Sequence, residues 1–191
     1  ANLVDELLET VPGVVGLLHQ RNASAAETTR GHPTEVVHGA DHYREELLGL
    51  TLHVPWNGFL QTNTAMCERL YGIAIEEAGL TGDEVVWDLY SGIGSIGLAL
   101  ARDAGRVIGI EIVPEAVEQA TANAERNGIA NAEFVTGDVA KTVAPLVEAG
   151  VPVPDVVVID PPRAGLTPKA VQRVMELGAR RIVYVSCNPT T

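Results

Sequence analysis

Residues 85–97 read Val-Val-Trp-Asp-Leu-Tyr-Ser-Gly-Ile-Gly-Ser-Ile-Gly. An apolar strand that runs into closely spaced glycines and then a helix is typical of the first turn of an α/β sheet. Downstream, apolar β-branched segments alternate with helical ones, which predicts an α/β fold with a mostly parallel sheet and helices on both faces. Ligands of such sheets bind outside the carboxyl ends of the strands, so polar residues at those ends are the candidate functional residues.

The sequence on either side of this stretch predicts alternating elements. Strands are expected at 85–90, 106–111, 132–137, 155–160 and 181–186. Helices are expected at 62–79, 95–103, 114–127, 139–149 and 168–177. The first 60 residues read differently, with short strands at 11–18 and 46–54 and a loop or ribbon at 22–38. We therefore expect a small accessory segment at 1–60, the remnant of a central subdomain, and the main domain at 61–191.

The composition is that of a globular protein with one domain and an appendage. Of its 191 residues, 46% are hydrophobic and 20% are charged. No apolar run is long enough to predict a transmembrane helix, and the first residues lack a signal-peptide pattern, so we expect a cytoplasmic protein with no membrane partner. The two cysteines lack Cys-x-x-Cys spacing, which fits a reducing compartment. The histidines lack metal-ligand spacing, and we expect no metal site.

The formal net charge of −12 bears on any nucleic-acid partner. An acidic domain gains no electrostatic help from phosphate contacts, so this chain alone is expected to bind RNA weakly. Among the arginines that could form a local basic patch, Arg163 is the favoured functional residue because it follows a strand end.

The glycine-rich turn fits two cofactors. Gly92-x-Gly94-x-x-Gly97 follows a strand, and Glu111 ends the next strand, as in the dinucleotide-binding fingerprint. The glycines allow a tight turn and a close approach of the backbone to a ligand, and the glutamate can accept hydrogen bonds from a ribose. A nicotinamide dinucleotide and S-adenosyl-L-methionine both carry an adenosine and suit such a site.

Two carboxylates favour S-adenosyl-L-methionine. Asp88 ends the strand before the glycines, where a carboxylate disfavours a pyrophosphate and suits an amino-acid ammonium group. Asp138 ends the third strand and could accept a hydrogen bond from the adenine amino group, cap the following helix, or do both.

Two further strand ends carry chemistry. Asp160-Pro-Pro-Arg163 follows an apolar strand, and the two prolines stiffen the turn that carries the aspartate. Cys187 ends the last predicted strand and is followed by Asn188 and a proline, which exposes its side chain at the predicted cleft. A thiolate at this place could add to an electron-poor ring carbon of a pyrimidine, whereas Cys67 is expected to be a buried helical residue.

These motifs resemble those of the S-adenosylmethionine-dependent RNA uracil-5-methyltransferases, which act on tRNA or ribosomal RNA. Residues 59–63, Phe-Leu-Gln-Thr-Asn, resemble the Phe-x-Gln-x-Asn motif of that family. Residues 160–163 resemble its Asp-Pro-x-Arg motif, and residues 184–189, Tyr-Val-Ser-Cys-Asn-Pro, resemble its nucleophile motif. The resemblance implies a Rossmann-like class I methyltransferase fold whose C-terminal strands are truncated here.

The resemblance also implies residue roles. It adds Gln61, Tyr90 and Ser95 to the cofactor-binding residues, although asparagine is common in the family where Ser95 stands. The expected set for S-adenosyl-L-methionine is then Gln61, Asp88, Tyr90, Gly92, Gly94, Ser95, Glu111, Asp138 and Asp160. Cys187 and Asp160 are the expected catalytic residues, and Arg163 and Asn188 the expected substrate-binding residues.

The family mechanism implies that Cys187 adds to carbon 6 of a flipped-out uridine and that carbon 5 takes the methyl group. A base then removes the proton from carbon 5, and the thiolate leaves. In the family this base is a glutamate well downstream of the cysteine, beyond Thr191. The family's N-terminal RNA-binding barrel is likewise not found in this chain, so we expect a catalytic-domain fragment that binds cofactor and does not turn over alone.

Three alternatives remain open. An RNA cytosine-5-methyltransferase also uses a cysteine after this strand, although a Thr-Cys-Ser type motif is favoured there. A nicotinamide-dependent oxidoreductase would explain the glycines and Glu111 and would leave Cys187 unused. A non-catalytic domain could keep the cofactor fold alone.

Overall fold

The computed structural model describes residues 3–21 and 33–187. In chain order its elements are α1 Leu3–Thr10, β1 Gly16–Gln20, β2 Thr34–Gly39, β3 His42–Leu47, β4 Leu50–Pro55, α2 Thr64–Ala78, β5 Val85–Leu89, α3 Ser95–Leu100, β6 Arg106–Glu111, α4 Pro114–Arg126, β7 Ala132–Thr136, α5 Val139–Glu148, β8 Val156–Ile159, α6 Pro168–Glu176 and β9 Arg181–Tyr184.

The last five strands form one parallel sheet in the order β7-β6-β5-β8-β9. All four neighbouring pairs are parallel, so the five carboxyl ends lie at one edge of the sheet. The chain runs outward from β5 to β7, crosses back to β8 and continues to β9 on the other side. The connections after β5 and β8 therefore leave in opposite directions, and a crevice opens between them. The predicted α/β fold with a parallel sheet is confirmed.

Two apolar layers hold the helices against this sheet. On one face, Val86 and Val158 pack with residues of α2, α3 and the β3–β4 hairpin. On the other face, Trp87 and Ile159 pack with residues of α5 and α6. Alternate strand residues point to opposite faces, which is why strands covered on both sides read as unbroken apolar runs. Trp87 is fully buried, and its indole N–H donates to the Pro152 carbonyl oxygen at 3.1 Å.

A hairpin occupies the region where the sequence predicts a single strand at 46–54. Strands β3 and β4 pair antiparallel, with Leu47 opposite Leu50. The turn between them uses Leu48 at φ 50° and Gly49 at φ 71°, the two left-handed positions of a tight hairpin turn. A leucine at positive φ gives no sequence signal, and the single-strand prediction is wrong for this reason.

Other element bounds shift by smaller amounts. Strand β1 begins later than the predicted 11–18, and β9 ends two residues before the predicted 186. The predicted loop or ribbon at 22–38 contains β2, while its residues 22–32 lie outside the described part of the chain. Helix α1 was not predicted.

The β3–β4 hairpin shares the core of the main domain. Its inward side chains, Leu47, Leu50, Leu52 and Val54, are at most 1% exposed and belong to the same apolar cluster as α2 and α3. The division into 1–60 and 61–191 stays a prediction. Over the described residues, the helices are all too short or too polar to cross a bilayer.

Candidate active site

A cleft of about 860 Å³ opens beside the carboxyl ends of β5 and β8. The predicted site residues that line it are Gln61, Asp88, Tyr90, Gly92, Ser95, Glu111, Asp160, Arg163 and Cys187. The ends of four strands, β5, β6, β8 and β9, and the segment before α2 therefore face one space. Gly94 and Asp138 are not among the lining residues, and Asn188 lies outside the described residues.

The turn after β5 is built from left-handed backbone. Tyr90, Gly92 and Gly94 have φ values of 67°, 54° and 85°. The strained tyrosine is held because its N–H and that of Ser91 both donate to the Ile110 carbonyl oxygen, at 2.9 and 3.1 Å. A side chain at position 94 would place its Cβ 2.9 Å from the Phe134 ring. Strained non-glycine backbone of this kind persists where surrounding contacts fix it, commonly at functional sites.

The Glu111 carboxylate braces this turn. One of its oxygens accepts a hydrogen bond from the Gly92 N–H at 3.1 Å, and the other accepts from the Val113 N–H at 2.9 Å. The side chain is half-buried and lines the cleft. Each carboxylate oxygen has a second lone pair, so the group can still accept hydrogen bonds from the hydroxyls of a ligand.

Asp88 is a buried carboxylate with one unused oxygen. It is 1% exposed, and its Oδ2 accepts from the Gly97 N–H at 2.9 Å. Its Oδ1 has no hydrogen-bond partner among the described residues. Burial, assisted by the nearby charges of Asp160 and Glu111, raises the pKa of Asp88 to about 7. A buried acceptor without a partner is costly, and at this wall of the cleft it suits a cationic donor such as an ammonium group.

The pairing of β8 with β5 brings Asp160 close enough to Asp88 for their charges to interact. Asp160 is half-buried, and burial raises the pKa of its carboxyl above the ordinary value. Its backbone N–H donates to the Leu89 carbonyl oxygen at 3.4 Å, which extends the β5–β8 pairing by one residue. Arg163 follows on the exposed side of the turn and gives the cleft a positive rim.

The two thiols differ as the sequence predicts. Cys187 is exposed and lines the cleft. Cys67 is buried on α2, where burial raises the pKa of its thiol. Only an accessible thiol at a cleft can reach a substrate carbon, so Cys187 is the candidate nucleophile of the two.

The segment that follows β4 forms the opposite wall. Phe59 is 68% exposed at the mouth, and Gln61 lies deeper and is half-buried. Asn63 then caps α2 by accepting from the Met66 N–H at 3.1 Å. The segment therefore ends at a fixed helix start, which holds Gln61 in position.

Asp138 occupies the N-cap position of α5 and makes no capping hydrogen bond with its side chain. Its charge acts on the Tyr90 phenol and helps to raise the pKa of that group, after the larger effect of burial. Of the two roles predicted for Asp138, side-chain capping is wrong, and the contact with adenine stays a prediction.

Sequence reasoning missed Tyr71 on α2. This side chain is 3% exposed, lines the cleft, and interacts through its hydroxyl with Ser95 and Cys67. Burial raises its pKa, so the phenol stays neutral. Its place four residues after Cys67, on the same helix face, is a signal that could have found it. Across the described ranges, no three His, Cys, Asp or Glu side chains come together in a way that could hold a metal ion.

Comparisons with known proteins agree with this geometry. Over 189 residues the chain is 41% identical to an uncharacterized RNA methyltransferase of Lactiplantibacillus plantarum, which covers 99% of this chain and 41% of the relative. A second uncharacterized RNA methyltransferase, from Caldanaerobacter subterraneus subsp. tengcongensis, is 43% identical over 92% of this chain and 38% of its own length. The chain thus spans about two fifths of the length of these curated relatives.

One solved structure is similar to this chain in both fold and sequence. The Pyrococcus abyssi tRNA (uracil-54, C5)-methyltransferase, crystallised with S-adenosyl-L-homocysteine, superposes with a TM-score of 0.71 at 32% identity, over 88% of this chain and 40% of that one. Trm5b from the same organism shares the fold, with a TM-score of 0.61 at 16% identity over 90% of this chain and 48% of that one. The methyltransferase domain family matches residues 80–187, which hold the glycine turn, Asp160 and Cys187. With that match spanning more than half of its length, the chain belongs to the methyltransferase domain family.

Proposed function

We propose that this chain is the cofactor-binding and nucleophile-bearing part of an S-adenosyl-L-methionine-dependent RNA methyltransferase that modifies carbon 5 of a uridine in tRNA or ribosomal RNA. The observation that carries the proposal is the joining of the glycine turn, Asp160 and Cys187 in one cleft of about 860 Å³. The names of the curated relatives support an RNA substrate, and the P. abyssi enzyme supports a uracil target.

The residues of the cleft fit this cofactor. Its ammonium group would give the Asp88 Oδ1 the donor that it lacks, and its ribose would bind Glu111. Gln61, Tyr90, Gly92, Gly94 and Ser95 would complete the site, with Asp138 beyond Tyr90 for the adenine. When bound, the cofactor supplies an electrophilic methyl group.

The chain's own residues would prepare the uracil. The Cys187 thiolate adds to carbon 6 and turns carbon 5 into a nucleophilic enolate carbon. Carbon 5 takes the methyl group, and a general base then removes the proton from carbon 5. The Cys187–carbon 6 bond breaks, which restores the double bond of the ring and the thiolate. Asp160 holds the uracil ring on the cofactor side of the cleft, and Arg163 and Asn188 hold the rest of the flipped nucleotide. We propose that the general base that removes the proton from carbon 5 belongs to the remaining part of the protein. The chain alone would then bind cofactor without turnover.

The test is adduct formation with RNA that carries 5-fluorouridine, because fluorine cannot be removed as a proton and the Cys187–carbon 6 bond then persists. We expect the full-length protein with S-adenosyl-L-methionine to form a stable protein–RNA adduct, and Cys187→Ala to form none. Cys67→Ala is the matched control and should keep the adduct. An adduct in Cys187→Ala would remove the nucleophile from the proposal.

The target base and the cofactor are tested separately. Methylation of cytidine-only RNA in preference to uridine-only RNA by the full-length protein would indicate the cytosine-5 alternative. Calorimetric binding of NADH, with no binding of S-adenosyl-L-homocysteine, would indicate an oxidoreductase.

A further inference from the structure

Asn123 is a fully buried polar side chain in the last turn of α4. Asparagine is a poor helix former because its amide competes for backbone hydrogen bonds, so a buried asparagine inside a helix is normally used by other elements. Here the amide is bonded to two different segments, and both of them lead into walls of the cleft.

The first segment is β4. The His53 N–H donates to the Asn123 Oδ1 at 3.0 Å, and the Asn123 Nδ2 donates to the His53 carbonyl oxygen at 3.3 Å. This exchange of one donor and one acceptor copies a rung of a β-ladder. Two residues after His53 the chain enters the segment 55–61, whose members Pro55, Asn57, Gly58, Phe59 and Gln61 line the cleft.

The second segment is the glycine turn. The Asn123 Nδ2 also donates to the Ile93 carbonyl oxygen at 3.2 Å, between Gly92 and Gly94. Arg126 and Gln119 donate to the same Oδ1, at 2.8 and 3.2 Å. Both hydrogens of the amide and both lone pairs of its oxygen are therefore engaged, which fixes the side chain in one orientation.

We infer that Asn123 is a positioning residue that sets the spacing between the glycine turn and the segment 55–61, and that this spacing controls affinity for the cofactor. The inference rests on the proposed cofactor site, and part of its test is independent of any ligand. One side chain joins both walls, so its loss lets them move apart while each wall keeps its own internal hydrogen bonds.

The chain offers a matched control four residues later, at the C-cap position of α4. Asn127 makes the same kind of pair with β4: its Oδ1 accepts from the Thr51 N–H and its Nδ2 donates to the Thr51 carbonyl oxygen, both at 2.9 Å. Its Nδ2 also donates to the carbonyl oxygen of Asn123, and none of its hydrogen bonds reaches the glycine turn in the described structure. Asn123→Ala and Asn127→Ala thus both release β4, and only the first releases Ile93.

The first measurement is calorimetric titration with S-adenosyl-L-homocysteine, alongside thermal melts. We expect both alanine variants to lower the melting temperature. Only Asn123→Ala should weaken binding, by about three- to tenfold, the effect of losing one buried hydrogen bond. A role limited to stability would not separate the two variants in this way, so equal affinities would overturn the inference.

The second measurement is amide hydrogen exchange without ligand. Asn123→Ala should speed exchange at Ser91 and Gly94 in one wall and at Trp56 and Gly58 in the other, whereas Asn127→Ala should leave these amides close to wild type. No binding by the wild-type chain would overturn the proposed cofactor site, and the exchange rates would then decide the inference alone. If Asn123→Ala does not fold, Asn123→Asp keeps the Oδ1 acceptor for the His53 N–H and removes the Nδ2 donor to the carbonyl oxygens of Ile93 and His53, with the same expected results.

Discussion

Asp88 shows how a single residue can be tuned by its surroundings. Its Oδ2 is bonded to the Gly97 N–H, its Oδ1 has no partner among the described residues, and its pKa is raised to about 7, mainly by burial. The carboxyl therefore ionises near physiological pH, unlike an ordinary aspartate.

We expect the affinity for S-adenosyl-L-homocysteine to rise with pH up to about 7 and then to level off. In the proposed site the ligand's ammonium group pairs with the carboxylate, so each pH unit below the pKa should weaken binding by up to about tenfold. Calorimetry across this range measures the slope. Asp88→Asn should bind about tenfold or more weakly, as for the loss of a charged hydrogen bond, and with a flat pH profile. A flat profile in the wild-type protein would contradict this role.

The same variant has an opposite effect on stability. The raised pKa means that folding favours the protonated acid. The ligand-free protein is therefore most stabilised below the ordinary pKa of 3.8 and loses that stabilisation as the pH rises towards about 7. In Asp88→Asn this loss is absent, so at pH values above 7 its melting temperature without ligand should be the higher of the two. A lower melting temperature there would show that the charged form is not destabilised by burial.

At the scale of elements, the start of α3 depends on a close approach that only glycine allows. A Cβ at Gly97 would lie 2.7 Å from the Asp88 Oδ2, the atom that accepts the Gly97 N–H. Gly72 on α2 has no such neighbour, since a Cβ added there would have no other atom within 4 Å among the described residues.

These two helical glycines should respond to alanine with opposite signs. Gly72→Ala is expected to stabilise the protein by about 0.5–1 kcal/mol through helix propensity. Gly97→Ala is expected to destabilise it by about 1–3 kcal/mol through crowding, and to weaken cofactor binding by displacing Asp88. Urea unfolding of both variants measures the two changes in the free energy of unfolding. Changes of the same sign would contradict the close contact at Gly97.

The elements that the sequence predicted correctly are those with local signals. The strand 85–90 and its glycine turn are apparent because apolar runs, glycines and helix starts are features of neighbouring residues. The polar strand ends follow from topology, because parallel strands present their carboxyl ends together. The cleft position of Asp88, Asp160 and Cys187 could be predicted for this reason.

The features that were missed depend on tertiary contacts. Leu48 takes a left-handed conformation because its neighbours pair as a hairpin, which a leucine in the sequence does not reveal. Tyr71 and Asn123 reach the site through packing of α2 and α4 against distant segments. The spacing of Tyr71 from Cys67 is a sequence signal within α2, but it does not identify the contact with Ser95, and the position of Asn123 in α4 gives no comparable signal.

At the scale of the whole molecule, the net charge of −12 lowers the expected affinity for RNA. Phosphate contacts contribute a large share of the affinity of proteins for nucleic acid, and a chain of this net charge gains no overall electrostatic attraction to phosphate. Arg163 at the rim of the cleft is a local exception.

We expect this chain alone to bind tRNA or ribosomal RNA at least about 100-fold more weakly than the full-length protein at the same salt concentration. Fluorescence anisotropy with labelled RNA measures the RNA affinity of the chain alone and of the full-length protein. Cofactor affinity should differ much less, because the proposed cofactor site consists of residues of this chain. Equal RNA affinities would show that the acidic surface lies away from the RNA path.

The two tryptophans of the chain stand in contrasting places. Trp87 is fully buried in the sheet, whereas Trp56 is half-buried and stands in the chain between Pro55 and Asn57, two residues that line the cleft. Their fluorescence can therefore be separated by a quencher such as iodide, which reaches a half-buried side chain and not a fully buried one. The molecule thus carries one intrinsic optical reporter of global unfolding and a second on the segment that connects β4 to the cleft, and neither requires a label.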